Sequence, residues 1–181
     1  MPGFTLELEE CPHQLFATAA DVEQAVRMMA RPRGPTYVML KDPRGGFAQA
    51  CGFNDRFCVE TRDVYGEGFR HWLAGLPNVK DRSDVVMHFR NNCKVHGKRR
   101  CPLPAWGENV LTLADVRAIM LFYQASGERL GSYPWEDVSQ YCLDAALKGD
   151  SRFIREIRPR RRPGEREEER GLARSGELPH T

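Results

Sequence analysis

At 181 residues, with 41% hydrophobic and 29% charged positions, the chain is long enough to bury a core of its own without disulfide or metal staples, and its composition excludes a wholly disordered protein. The formal charge of +2 is unevenly placed, since Arg158 to Thr181 holds seven Arg against five Glu and the remainder carries 20 basic against 20 acidic residues. A neutral body argues against the long-range pull on a polyanion expected of a nucleic-acid binder, and no stretch reaches the roughly 18 apolar residues that span a bilayer.

The opening, Met1-Pro2-Gly3-Phe4 followed by Glu7, Glu9 and Glu10, has neither the basic segment nor the apolar run of a signal peptide. A cytoplasmic protein is therefore expected. Its six cysteines, Cys11, Cys51, Cys58, Cys93, Cys101 and Cys142, are expected as thiols in that reducing setting.

Thr18-Ala-Ala-Asp21 is a capping-box start, and Val22, Ala25, Val26 and Met29 recur on one face of the helix it predicts. Pro32, Gly34 and Pro35 end that helix. Tyr37 to Lys41 reads as a strand, Asp42 to Gly46 as a turn and Phe47 to Cys51 as the returning strand. With Asn54-Asp55 as a two-residue loop, Cys51 falls opposite Cys58. Phe57 to Arg62 alternates Phe57, Val59 and Thr61 against Cys58, Glu60 and Arg62, as in a half-buried strand.

A further turn leads to Phe69 to Ala74, read as a fourth strand or a short irregular edge. Asp84 to Phe89 is read as a fifth strand, with a short helix as the alternative. Asn91 to Glu108, with Lys94, Lys98, Arg99, Arg100, Pro102, Pro104 and Gly107, shows no apolar periodicity and reads as a surface loop. Thr112-Leu-Ala-Asp115 is a second capping box, followed by the stripe Leu113, Val116, Ile119, Met120 and Tyr123, with Gly127 as the residue just past the helix. A third helix is expected from about Glu136 to Lys148. The segment 158–181 is too polar to offset the ordering entropy of its backbone and is expected to be a disordered Arg/Glu-rich tail on a single domain, 1–157.

The pattern predicts an α+β fold, a four- to five-stranded antiparallel meander packed against two or three helices. Phe57, Tyr123, Tyr133 and Trp135 are its expected structural aromatics, with Trp135 joining the second and third helices to the sheet.

Three constellations carry possible chemistry. Cys93, His96 and Cys101, with Cys11 and His13 at a distance, are residue types a Zn²⁺ site uses, but the paired CxxC spacing is missing. Lys94, Lys98, Arg99 and Arg100 between Phe89 and Trp106 suggest a phosphate patch with stacking rings. Cys51 or Cys58 with His71 on a neighbouring strand would make a thiol–imidazole pair. Each competes with a bland reading as loop or core residues, so no catalytic residue and no cofactor is assigned. Glu60 and Arg62, on the exposed strand face, read by default as a solvated pair and otherwise as part of a partner-binding surface.

The order of motifs resembles a bacterial immunity-protein family of polymorphic toxin systems, encoded beside deaminase-type toxins. The likeness rests on Gln49 and Gly52 after a glycine turn, on Phe57-x-Val59-Glu60-x-Arg62, on Leu113-x-Asp115-Val116 through Phe122-Tyr123 and Gly127, and on Tyr133-x-Trp135, across roughly residues 36 to 140. It implies a small α+β cytoplasmic inhibitor that binds a cognate toxin domain and blocks it without catalysis. The segment Asn91 to Glu108 and the tail after Arg158 lie outside that pattern, and the resemblance assigns no contact residue. The other classes that stay open are a zinc- or nucleic-acid-binding module and an enzyme using a Cys/His pair.

Overall fold

The computed structural model describes residues 3–9, 14–66, 68–89 and 101–140. The chain order is β1 (Thr5–Leu8), β2 (Gln14–Leu15), α1 (Ala19–Met29), β3 (Tyr37–Lys41), β4 (Phe47–Phe53), β5 (Arg56–Tyr65), β6 (Gly68–Ala74), β7 (Asp84–Phe89), β8 (Cys101–Trp106), a 3-10 turn (Gly107–Asn109), α2 (Leu113–Ser126) and β9 (Trp135–Asp137). Seven strands form one sheet in the order β2-β1-β3-β4-β5-β6-β9, and β7 and β8 form a separate hairpin. All pairings are antiparallel, so the fold is α+β. The expected meander is its centre, extended by β1 and β2 on one side and β9 on the other.

Both capping boxes form as the sequence predicts. Thr18 Oγ1 accepts from the Asp21 amide at 3.3 Å while the Asp21 carboxylate accepts from the Thr18 amide at 2.8 Å. Thr112 and Asp115 repeat the exchange at 3.3 and 2.9 Å. Each box satisfies donors that a helix start otherwise leaves open. Gly127 ends α2 at φ 72°, the left-handed conformation that glycine enters without a Cβ penalty.

The helices lie together on one sheet face. Val22, Ala25, Val26 and Met29 of α1 and Val116, Ile119, Met120 and Tyr123 of α2 share a core with Leu6, Val38, Leu40, Ala48, Ala50, Phe57 and Val59 of the strands. Burial of each large apolar side chain there contributes about 1.5–3 kcal/mol. On the opposite face the β7–β8 hairpin covers one end of the sheet, where Val85, Ala105 and Val110 pack with Tyr37 and Leu73 around Cys51 and Cys58. Asn109 fastens this cover, donating from Nδ2 to the Ala74 carbonyl at 3.1 Å and accepting from the Trp106 amide at 3.2 Å.

Three expectations are corrected. The Asp84 to Phe89 strand forms but pairs with Cys101 to Trp106 rather than joining the main sheet. Residues 101–106 of the expected surface loop are thus strand β8, and its residues 91–100 lie outside the described residues. Glu136 and Asp137 pair with Leu73 and Trp72 in β9, so the expected helix starts later than Glu136, with Ser139 and Gln140 helical. The remainder of that expected helix, from residue 141, and the tail 158–181 also lie outside the described residues.

Candidate partner-binding face

The Asn54-Asp55 turn fixes the β4–β5 register. Asn54 adopts φ 53°, as a tight hairpin turn requires, and Cys51 pairs with Cys58, Gln49 with Glu60 and Phe47 with Arg62. Carried through β5–β6 and β3–β4, the register sets out rows on the face away from the helices. One row runs Lys41, Phe47, Arg62, His71, and the next runs Met39, Gln49, Glu60, Leu73.

Arg62 is the centre of this face. Its guanidinium carbon lies 4.8 Å from the Phe47 ring centre and 4.6 Å from that of Phe69. Two phenyl faces thus hold one cation, each contact contributing about 0.5–1 kcal/mol where exposed. Arg62 forms no ion pair and no side-chain hydrogen bond among the described residues, and its Nε is buried without an acceptor.

Glu60, one row along, is engaged: its Oε2 lies 3.2 Å from Nε2 of His71, which is 5% exposed. A carboxylate only accepts, so the proton of this bond sits on Nε2. The imidazole meets Phe47 edge to face, with ring centres 5.6 Å apart. Glu7 and Lys41 pair at the other side of the face. Opposite Phe69, Val64 is exposed.

The Cys/His pair is not a competent nucleophile in this geometry. Cys51 and Cys58 are 3% and 1% exposed, and the Cys58 thiol is pushed well above its ordinary range by its hydrogen bond with Cys51 and then by burial. Activation needs the opposite shift. The His71 Nε2 serves Glu60 rather than a thiol.

Of the zinc candidates, Cys11, His13, Cys93 and His96 lie outside the described residues and Cys101 starts β8. Among the described residues no group of three His, Cys, Asp or Glu could hold a metal ion. Lys94, Lys98, Arg99 and Arg100 are likewise outside. Trp106, their expected stacking ring, ends β8 with the Arg82 guanidinium 5.7 Å from its centre.

The structural aromatics lie on the helix side. Phe57 and Tyr123 are fully buried, and the Tyr123 hydroxyl donates to Asp42 at 3.3 Å. Burial, followed by the Asp42 charge, pushes that phenol far above its ordinary value. Tyr133 and Trp135 line a groove of about 580 Å³ with Asp63, Tyr65, Trp72 and Arg129. Trp135 packs beside the core from β9 and donates from Nε1 to the Leu130 carbonyl at 3.1 Å.

The charges at the centre of this groove are paired with one another. Asp63 accepts from Tyr65 Oη and Trp72 Nε1, each at 3.0 Å, and pairs with Arg129, which stacks 4.0 Å from the Trp72 ring centre.

Sequence reasoning found Glu60 and Arg62 from their alternation, placed His71 with a thiol rather than with Glu60, and missed Phe47 and Phe69 as parts of this face. Extending the Asn54-Asp55 register four more pairs puts Phe47 opposite Arg62, so that signal was present. No protein-family model matches the chain, and comparison with curated proteins and with solved structures finds no match.

Proposed function

We propose that the chain is a cytoplasmic immunity protein that neutralises a cognate secreted toxin domain by binding it, without catalysis. One observation supports this beyond the sequence resemblance: an arginine is held between two rings, with no anion beside it among the described residues, on a sheet face that also presents an exposed valine. Arginine and aromatic anchors of this kind carry a large share of binding energy at protein interfaces. Among the described residues no helix is long and apolar enough to cross a membrane.

An inhibitor of a lethal enzyme has to act at low cellular concentration, which requires nanomolar affinity, about −12 kcal/mol or stronger. The test is co-expression with the toxin encoded beside this gene. Survival of cells carrying both, and its loss on double charge reversal at Glu60 and Arg62, is the expected result. Death despite soluble co-expression, or absence of any adjacent toxin gene, removes the reading.

A further inference from the structure

The Phe47–Arg62–Phe69 sandwich has the geometry of a receptor still lacking its anion, and we propose that it takes a carboxylate side chain of a protein partner. The inference rests on the reading that this face meets a protein, and names the chemical group that the partner contributes.

Arginine offers five N–H donors in a fixed fork that matches a carboxylate by two parallel bonds. At Arg62 no described residue supplies such an acceptor. Nε is enclosed with no partner, while the side chain as a whole is only half-buried, so an incoming acceptor reaches the terminal edge of the guanidinium. The two rings, 4.8 and 4.6 Å from the guanidinium carbon, hold the side chain between them before any partner arrives, which cuts the side-chain ordering that association otherwise costs. The other nearby charges are spoken for: Glu60 by His71 and Lys41 by Glu7.

Those neighbours also decide which anion fits. Glu7 and Glu60 lie in the row beside Arg62 and Lys41, so the face alternates in sign. A nucleic-acid backbone, carrying negative charge at every step, would meet both carboxylates and gain from one unpaired arginine alone. A folded protein can set one Asp or Glu against Arg62 and place neutral or basic groups over Glu60. Val64, exposed and paired with Phe69 across β5–β6, supplies apolar area suited to a protein surface.

The probe is a fluorescein-labelled Glu-rich peptide titrated against the full chain at low salt, with oligothymidylate of matching charge as the comparison. Wild type should bind the peptide in preference to the oligonucleotide. Arg62→Gln should weaken peptide binding about tenfold, with Arg62→Lys intermediate because a point charge lacks the planar fork. Glu60→Gln should strengthen it.

Nitrogen-15 spectra of the wild-type Arg62 side chain, which should shift on peptide addition, give the same answer without a substitution. No peptide binding, an affinity unchanged in Arg62→Gln, an unshifted side chain, or a preference for oligothymidylate that Arg62 carries would each overturn the proposal. Because neither readout uses a toxin, failure here leaves neutralisation to be judged by co-expression, and failed co-expression leaves the carboxylate site to be judged by the peptide.

Discussion

Asp115 shows how one side chain can serve two neighbours. It accepts from the Thr112 amide and hydroxyl as the capping partner of α2, and its other oxygen accepts from the Tyr133 hydroxyl at 2.7 Å. Burial acts to raise its carboxyl, yet the Thr112 and Tyr133 hydrogen bonds prevail and leave it below the usual value. The folded carboxyl therefore holds its proton less tightly than the unfolded one. Its contribution to stability is complete above the ordinary Asp value of about 3.9 and is lost as pH falls through the folded value.

Tyr133 works in the opposite direction: burial and then the Asp115 bond push it up to about 12. That contribution is complete below about 10 and fades as pH rises toward the folded value. Tyr133→Phe is expected to flatten part of the alkaline loss of stability and to let acid unfolding begin at higher pH. Urea titrations across pH check both limbs, and a variant superimposable on the parent at both ends would refute the pairing. Trp135 is half-buried and keeps one hydrogen bond, so Trp135→Ala should cost about 2–3 kcal/mol, below the range for a fully enclosed ring. A urea midpoint equal to that of the parent would contradict it.

The β4–β5 hairpin was the most legible part of the chain, because its turn residues and its alternation are both local. Gly52 within it adopts φ 142°, and a Cβ there would sit 2.2 Å from the Arg56 carbonyl oxygen. Gly52→Ala should cost about 1–3 kcal/mol from backbone strain alone, with more from displacing β5, read as a lowered thermal midpoint. In the same hairpin, Cys51 and Cys58 should resist alkylation in the native protein and react once it is unfolded, resolved residue by residue by mass spectrometry. Rapid native labelling of Cys58 would mean that the β7–β8 cover opens.

The less legible elements share a physical reason: their strand character comes from partners distant in sequence. Trp135-Glu-Asp137 is too short to show alternation, and only Ala74 to Trp72 makes it a strand. β8 carries Pro102 and Pro104, which read as loop residues. It pairs on one side only, so prolines two apart can turn their donor-less nitrogens to the free edge. The candidate face divides in the same way. Glu60 and Arg62 followed from a single strand, whereas Phe69 and His71 needed the β5–β6 register, set across a turn in which Gly66 takes φ 54°.

The molecule presents two arginine–aromatic assemblies on opposite sides of its sheet, and their satisfaction separates a structural assembly from the proposed recognition site. Asp63, Arg129 and Trp72 close on one another beneath the C-terminal end of α2 and join the 128–135 segment to β5 and β6. Removing one member leaves a partly enclosed charge without its counter-charge, which costs about 1–3 kcal/mol. Arg62 pairs with no anion among the described residues, so its loss forfeits ring stacking and relieves an unsatisfied buried N–H. Asp63→Ala is therefore expected to lower the urea midpoint clearly while toxin protection persists at permissive temperature, and Arg62→Gln to keep the midpoint near that of the parent while protection falls. The two variants, measured side by side for unfolding and for survival in co-expression, test the assignment of roles in both directions. Loss of protection in Asp63→Ala at unchanged stability would move the binding site to the groove, and full protection by Arg62→Gln would take it off the sheet face.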